Sequence, residues 1–495
     1  MGHSHTFGPI DDFIMTTVIN IMVGNAAETQ SRRVPAQELA RLITGWASTD
    51  DTQRVGLADS LADAIRETIV SGALSDGAKL PAQRPLAIEL GVSRGTVAAA
   101  FDILVAQEYC VAATGSGTRV RRRNHGHAGW TSYSRVSTTT SHTPALDLRS
   151  SALTGLDLVA EAWGEFDRDS LGSLLRTDGY FPSGLTVLRE AIATRLSVDG
   201  TPTAPEQILV TAGAQQALWL VAHVLTGPGD KVLLEDPSYR GALEAFADAG
   251  ARLIGVPMEN GAVNPHALAG LMRHRPRLLY CQTGIHNPTG SGMSVGHRQE
   301  LAAQLTSLGL LAVEDCCSAD LTLDGPTAAP GLAALMDPDD IISIGTLSKL
   351  FWGGLRIGWI RTGERMIRRL TTAKKALDLS CPVPEQLLAT ALIERVPEAR
   401  RLRRAQLQLS YSELSEFLTI NFPQWRWERP RGGSGLWIDI GSDANAFAAR
   451  AAAHGVTFTI GSTFSPHDRF GSFIRLPLGR DSGSVEAALS LLTPK

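Results

Sequence analysis

The 495-residue chain is poor in aromatic residues, at 6%, and holds only five cysteines. No two of them are spaced as C-x-x-C, which argues against a disulfide framework and a structural zinc site. No apolar run approaches the ~20 residues needed to span a bilayer. Neither sign of charge is in surplus: 46 Lys+Arg stand against 50 Asp+Glu, a formal charge of −4. A uniformly basic coat for nucleic acid is thereby excluded, whereas a local basic patch is not. The apolar stretch Phe13 to Val23 follows Asp11 and Asp12, the wrong charge for a signal peptide. Secretion is not expected, and a reducing cytoplasm fits best.

What is present is ordinary globular material, 43% hydrophobic and 19% charged. Its length suggests about three domains at ~150 residues each. Residues 1–54 read as an N-terminal extension, with Val34 to Trp46 patterned as one amphipathic helix that packs on the next part of the chain. From Val55 the pattern sharpens. Leu57, Leu61, Ile65 and Ile69 recur at four-residue spacing, giving a helix with one apolar stripe. Pro85 suits the first turn of a short helix ending near Leu90, and Gly91 turns the chain. Ser93 is a good N-cap for a longer helix carrying Val97, Phe101 and Leu104. Two short strands joined at Gly115-Ser116-Gly117 complete the segment. Three helices and a hairpin within residues 55–123 make a winged helix-turn-helix plan.

Residues 124–147 are rich in Ser, Thr, Gly and His and read as a flexible, solvated linker. From 148 to 495, short β-rich runs (QILVTAG, KVLLEDP, RLLYCQT, LLAVEDC, IISIGTLSK) alternate with helical stretches. That alternation predicts a mostly parallel sheet covered on both faces, with a smaller C-terminal α+β subdomain.

The run SIGTLSKLFWGGLRIGW ends a strand in Ser and Lys, then turns through glycines to Arg356. A lysine walled by apolar residues can act as an amine nucleophile. Alone, Lys349 would read as a surface lysine. Four other segments change that reading, because together they supply what a pyridoxal phosphate site needs. Asp315 ends a strand and suits a cationic pyridine nitrogen. Asn287, in HNPTG, offers a donor to the phenolic oxygen. Gly213, Ala214 and Gln215 open a helix whose free N–H groups suit a phosphate. Tyr239, in EDPSY, offers an aromatic lid. Each has a dull alternative as turn, cap or core residue; five in this order along a βα domain do not.

On these motifs, residues 148–495 resemble the fold-type I aminotransferases, through GYFPSG, TAGAQQAL, EDPSY, HNPTG, ED, SK and two arginines. The resemblance implies that Lys349 holds the cofactor as a Schiff base, Asp315 pairs with the ring nitrogen, Asn287 bonds the ring oxygen and Tyr239 stacks on the ring. It implies a phosphate site of Ala214, Gln215, Thr346, Ser348 and Arg356. Tyr180 matches a tyrosine that reaches the partner subunit's phosphate, implying a dimer with shared sites. Arg475 matches the arginine that grips a substrate carboxylate with a bidentate fork. One departure stands out: Ser318 occupies the place where the family usually has a tyrosine bonding the ring oxygen, which weakens tuning for transamination without removing cofactor binding. Cys316 and Cys317 read as small core residues rather than a redox pair.

Residues 55–123 resemble the DNA-binding domain of the GntR family of bacterial regulators, through LPAQRPLAIELGVSRGTVAAAFDIL and the wing GSGTRV. The resemblance makes Arg84 and Arg94 operator contacts, places Ser93 and Thr96 at the opening of the recognition helix, and puts Gly117 and Thr118 at the wing tip. Ala98 stands where some relatives carry a further arginine. Arg119 and Arg121 to Arg123 bunch just past the wing, so positive charge is local. A GntR-like winged helix joined by a linker to an aminotransferase-like domain is the arrangement of the MocR subfamily, usually a head-to-tail homodimer. The leading expectation is a pyridoxal-phosphate-dependent transcriptional regulator that binds operator DNA and senses the cofactor or an amino compound. The alternative is an aminotransferase acting on an amino acid, with the N-terminal domain as a tether.

Overall fold

The computed structural model describes residues 33–43, 46, 57–70, 73–74, 77–106, 109–113, 117–120, 146–165, 168–324, 330–479 and 482–492. They fall into two compact units, one within residues 1–133 and one within 134–495.

The small unit holds α1 (Ala36–Leu42), α2 (Leu57–Val70), α3 (Gln83–Leu90) and α4 (Arg94–Ala106), followed by β1 (Cys110–Ala113) and β2 (Gly117–Val120). Leu61, Ile65 and Ile69 of the α2 stripe are buried, while Leu57 at its head is half exposed. They pack with Val97, Phe101 and Leu104 of α4. Gly91 ends α3 in the left-handed conformation (φ 67°), which a residue with a Cβ adopts only at a cost. The strands β1 and β2 pair antiparallel, from Cys110 opposite Val120 to Ala113 opposite Gly117. Residues 115 and 116 of the expected wing turn, Gly72 and Arg121 to Arg123 lie outside the described residues.

The amphipathic segment expected over 34–46 forms a shorter helix, α1, starting after Pro35. Val34, Leu39 and Ile43 are buried in the same core as α2 and α4. Val34 N–H donates to the Lys79 carbonyl at 2.9 Å, and Leu80 N–H to Thr118 at 2.9 Å, so 33–34 and 78–80 widen the hairpin on one edge. Part of the expected N-terminal extension is thus core material of the small unit.

The large unit is built on an eight-stranded sheet. Its strands are β4 (Ile208–Thr211), β5 (Lys231–Asp236), β6 (Arg252–Glu259), β7 (Ala262–Val263), β8 (Leu278–Cys281), β9 (Leu311–Asp315), β10 (Ile341–Thr346) and β11 (Gly358–Arg361), in the order β4-β11-β10-β9-β8-β5-β6-β7. The five central strands β10, β9, β8, β5 and β6 run parallel, as the alternating pattern predicts. β11 runs antiparallel to both β10 and β4, and β7 antiparallel to β6, so the sheet is mixed at its ends. β4 and β8 are buried along their whole length, which explains their continuous apolar runs ILVT and LLYC. The helices α5 (Ala214–Leu225) and α6 (Val295–Leu308) are among those that cover the sheet.

A second subdomain gathers around a three-stranded sheet in the order β12-β15-β14, made of Gly435–Asp439, Phe473–Pro477 and Thr459–Ile460. The 26-residue helix α7 (Val396–Asn421) contributes Leu407, Leu414 and Leu418 to its core. Leu146 and Asp147, which the sequence groups with the linker, form a two-residue strand paired parallel to Val456–Thr457. No helix among the described residues is long and apolar enough to cross a membrane.

Candidate functional site

The chemistry-bearing residues of the large unit collect where β9 and β10 end at their C-terminal edges, the usual place for ligands in an open parallel sheet. Ile344 of β10 pairs in register with Asp315 of β9, so the turn carrying Thr346, Ser348 and Lys349 leaves the sheet beside Asp315. Side chains alternate along β9, which separates its two adjacent carboxylates. Glu314 is fully buried and held by the Thr283 and Ser343 hydroxyls and the Leu332 and Ala333 N–H groups. It is a structural residue. Asp315 accepts the Tyr280 hydroxyl at 2.7 Å and the Cys317 N–H at 2.9 Å. Burial first, and then the Asp315 carboxylate, push the Tyr280 phenol well above its ordinary pKa of 10, so it stays a donor. Tyr280 belongs to none of the motifs that mark the site in the sequence. It lies opposite Val313, two residues from Asp315 on a neighbouring strand, a diagonal same-face position that a strand register would have exposed.

Lys349, Asn287 and Ser318 line one cavity, together with Ser151, His286 and Ser434. Asn287 Oδ1 accepts from Arg475 Nη1 at 3.1 Å, which leaves the Asn287 N–H₂ group as the donor. Arg475 Nη2 donates to the Arg149 carbonyl at 2.9 Å, and its guanidinium lies over the Phe464 ring. The two residues expected to meet a ring oxygen and a carboxylate are therefore neighbours. Behind this cavity Glu235 is fully buried, with His286 Nε2 3.4 Å away; burial raises the Glu235 pKa, against the pull of His286.

The second part of the site is a cradle at the start of α5. Gly213 precedes the helix at φ 81°, and Ala214 opens it. A Cβ at Gly213 would stand 2.8 Å from Arg356 Nη2, so only glycine lets the guanidinium reach the helix end. Gly358 has the same restriction, since a Cβ there would meet the Gly213 backbone at 2.7 Å. Arg356 is itself in the left-handed region (φ 49°) and donates to the Ala212 carbonyl at 2.9 Å. A non-glycine held there costs about 1–2 kcal/mol, a strain more common at functional positions than elsewhere. The Ser348 hydroxyl is buried with no hydrogen-bond partner. Thr346, expected as a phosphate ligand, donates its hydroxyl to the Ile357 carbonyl at 2.8 Å and accepts the Ser348 N–H at 3.1 Å. Its proton is committed to shaping the turn. Gln215 and Tyr239 face each other across 3.4 Å. Tyr180 is exposed on the surface, away from its own chain's core.

The donor set fits an anionic, planar cofactor. Helix N–H groups, an arginine and an orphaned buried hydroxyl converge at α5, and a lysine, a buried carboxylate and an amide donor lie at the neighbouring strand ends. All five cysteines are free; Cys316 and Cys317 are half-buried, and burial raises both thiols well above the ordinary value. Among the described residues no group of three or more His, Cys, Asp or Glu gathers as a metal site.

In the small unit, Ser93 caps α4: its hydroxyl accepts the Thr96 N–H at 3.0 Å and lies 2.9 Å from the Thr96 hydroxyl. Arg84, Ser93 and Arg94 are exposed, with Arg94 Nε 3.4 Å from Gln83 Oε1. Ala98 is half-buried on α4. Gly117 begins β2 at φ 85°, and Thr118 follows it in the ladder with β1.

Residues 146–492 match the family of class I and II aminotransferases. The chain belongs to that family. This aminotransferase-family chain also matches the gntR family of bacterial regulatory proteins over residues 57–120. It is 29% identical to the HTH-type transcriptional regulator YdfD of Bacillus subtilis over 83% of this chain and 90% of that one. It is 28% identical to the probable rhizopine catabolism regulatory protein MocR of Rhizobium meliloti, over 73% of this chain and 78% of that one. The architecture, a GntR winged helix ahead of a fold-type I aminotransferase domain, is that of MocR-type regulators. Among solved structures, the α-aminoadipate aminotransferase LysN of Thermus thermophilus superposes with a TM-score of 0.62 at 28% identity, covering 70% of this chain and 92% of that one; it was crystallised with N-(5'-phosphopyridoxyl)-L-leucine.

Proposed function

We propose that this MocR-type protein is a pyridoxal-phosphate-dependent transcriptional regulator that binds operator DNA through α3, α4 and the wing and senses the cofactor or an amino compound through its large unit. One observation carries the reading: a complete cofactor-type donor set shares a chain with an exposed, capped recognition helix. Pyridoxal phosphate, when bound, supplies a carbonyl that captures amines and an electron-poor ring. Lys349 supplies the amine that holds it. Asp315, kept in place by Tyr280 and the Cys317 N–H, pairs with the ring nitrogen. The Asn287 N–H₂ group bonds the ring oxygen, and Tyr239 covers the ring. Ala214, Gln215, Ser348 and Arg356 bind the phosphate. Arg475 holds an effector carboxylate after exchanging its bond to Asn287. Ser318 supports sensing over turnover, because its short side chain replaces a tyrosine that would tune the ring oxygen.

Arg84, Arg94, Ser93, Thr96, Gly117 and Thr118 form the DNA face of the cytoplasmic protein. A head-to-tail homodimer, in which the exposed Tyr180 reaches the partner's phosphate site, presents two such faces. An effector regulates DNA binding only as far as it binds two arrangements of the dimer differently. The second reading, an aminotransferase acting on an amino acid, is favoured by the completeness of the Lys349 site. Operator titrations with and without pyridoxal phosphate and a panel of amines separate the two. The regulator reading expects ligand to change operator affinity by about 5- to 150-fold. Unchanged affinity together with fast transamination overturns it.

A further inference from the structure

Arg403 lies on α7, and its side chain is completely buried. Among the described residues it makes no ion pair. Its guanidinium instead donates to four neutral acceptors: Nε to the Leu350 carbonyl at 2.7 Å, Nη2 to the carbonyls of Phe351 at 2.7 Å and Thr154 at 2.6 Å, and Nη1 to the Gln406 amide oxygen at 2.8 Å. A buried cation without a carboxylate is costly, and it persists only where its hydrogen bonds do something the chain cannot do otherwise. Burial lowers its pKa to about 10, so it stays protonated near neutrality.

Two of the acceptors belong to the residues that directly follow Lys349. On the other side the same turn is anchored through Leu347 N–H to Ile357 and Thr346 Oγ1 to Ile357. The third acceptor, Thr154, belongs to the segment whose Leu156 N–H also bonds Phe351, three residues on from the cavity residue Ser151. The planar fork joins α7, the Lys349 turn and the 154–156 segment at one point, which a hydrophobic side chain cannot do and a lysine does incompletely.

We propose that Arg403 is a positioning residue for Lys349: it fixes the turn that aims the lysine amine and ties that turn to the long helix running into the C-terminal subdomain. The inference rests on the reading of Lys349 as the cofactor lysine. No step of capture passes through Arg403 itself.

The test uses the full-length chain, pyridoxal phosphate as probe, and the variants Arg403→Met and Arg403→Lys. Cofactor affinity is read by absorbance. The share of cofactor fixed on Lys349, rather than on other lysines, is read by borohydride reduction and peptide mapping. Thermal melting and chromatography establish that each variant is folded. Folded Arg403→Met should bind cofactor at least about tenfold more weakly and lose most of the Lys349 label, with Arg403→Lys between it and wild type. A lower melting temperature with unchanged affinity and labelling means a purely structural arginine and overturns the proposal. Should Arg403→Met fail to fold, Arg403→Lys decides alone: a drop in Lys349 labelling supports the proposal, and wild-type labelling overturns it. Wild-type protein that takes no label on Lys349 refutes the cofactor reading and this proposal with it, an outcome distinct from a failure seen only in the variants.

Discussion

The two units carry their working residues in opposite environments. Arg84, Ser93 and Arg94 of the small unit stand in water, and α4 is set by one capping hydroxyl and an apolar underside. In the large unit Asp315 is only 8% exposed, Glu314 and Arg403 are wholly buried, and the Ser348 hydroxyl is sealed off. An exposed residue acts through its own reach and charge, so its loss is graded and salt-dependent. A buried polar residue acts only as part of a satisfied set, so its loss propagates to its neighbours. Recognition of a long, charged polymer suits the first design, and capture of one small molecule the second.

The contrast can be broken from either side. Lys349→Ala should abolish borohydride-fixed cofactor while leaving dimerisation and operator binding intact; cofactor still fixed in that variant would move the site elsewhere. Leu39→Ala, in α1, should destabilise the small unit by about 2–5 kcal/mol, because its fully buried side chain would leave a cavity. Hydrogen exchange in α2 and α4 would read this, and unchanged protection would mean that α1 is an ornament. For Asp315→Asn the expected loss is about 1.5–3 kcal/mol of cofactor affinity, the range for hydrogen bonds to a charged group, measured by absorbance titration. Arg94→Ala should cost about 1–3 kcal/mol on the operator and much less on random DNA, a difference that footprinting or anisotropy resolves.

The smallest effect concerns the two-residue strand before the large sheet. Burial raises the Asp147 pKa, but bonds from the Arg149 side chain and N–H and from the Thr457 hydroxyl outweigh it and hold the carboxyl at about 2. A folded-state pKa below the unfolded value of 3.8 stabilises above about pH 4, and that gain is lost as pH falls through 2. Asp147→Asn should therefore cost about 1 kcal/mol at pH 7 once solvent screening is allowed for, and nothing near pH 2. A penalty that does not shrink in acid would assign the strand's stability to the backbone pairing alone.

Much of this was legible in the sequence. Strand and helix alternation pointed to the parallel centre of the mixed sheet, because a strand covered on both faces must be apolar throughout, as ILVT and LLYC are. The order of Asp315, Ser348 and Lys349 located the strand ends where they meet. What escaped were residues whose role depends on distant partners. Arg403 sits in the run RRLRRAQ, which reads as a solvated helix face, yet it points into the core toward carbonyls about 50 and 250 positions earlier in the chain. Tyr280 looks like another apolar residue of its strand until the neighbouring strand is placed beside it. Thr346 shows the opposite error: a hydroxyl in the right motif proves to be occupied by the turn it helps to make. Leu146 and Asp147 were hidden because two residues are too few to show a period.

The close approach of Gly213, Gly358 and Arg356 has a consequence for the history of such proteins. A methyl group at either glycine would collide with the guanidinium or with the opposing backbone, and nothing in the core of the fold asks for that proximity. A lineage that ceased to use its cofactor would therefore be released from these two positions early, while the strands and helices around them went on being selected for folding. Alanine, serine or larger residues at the positions of Gly213 and Gly358 would mark chains that have become scaffolds, and paired glycines facing an arginine would mark chains that still hold a ligand. That gives a way to sort working sensors from retired ones by inspection, before any of them is purified.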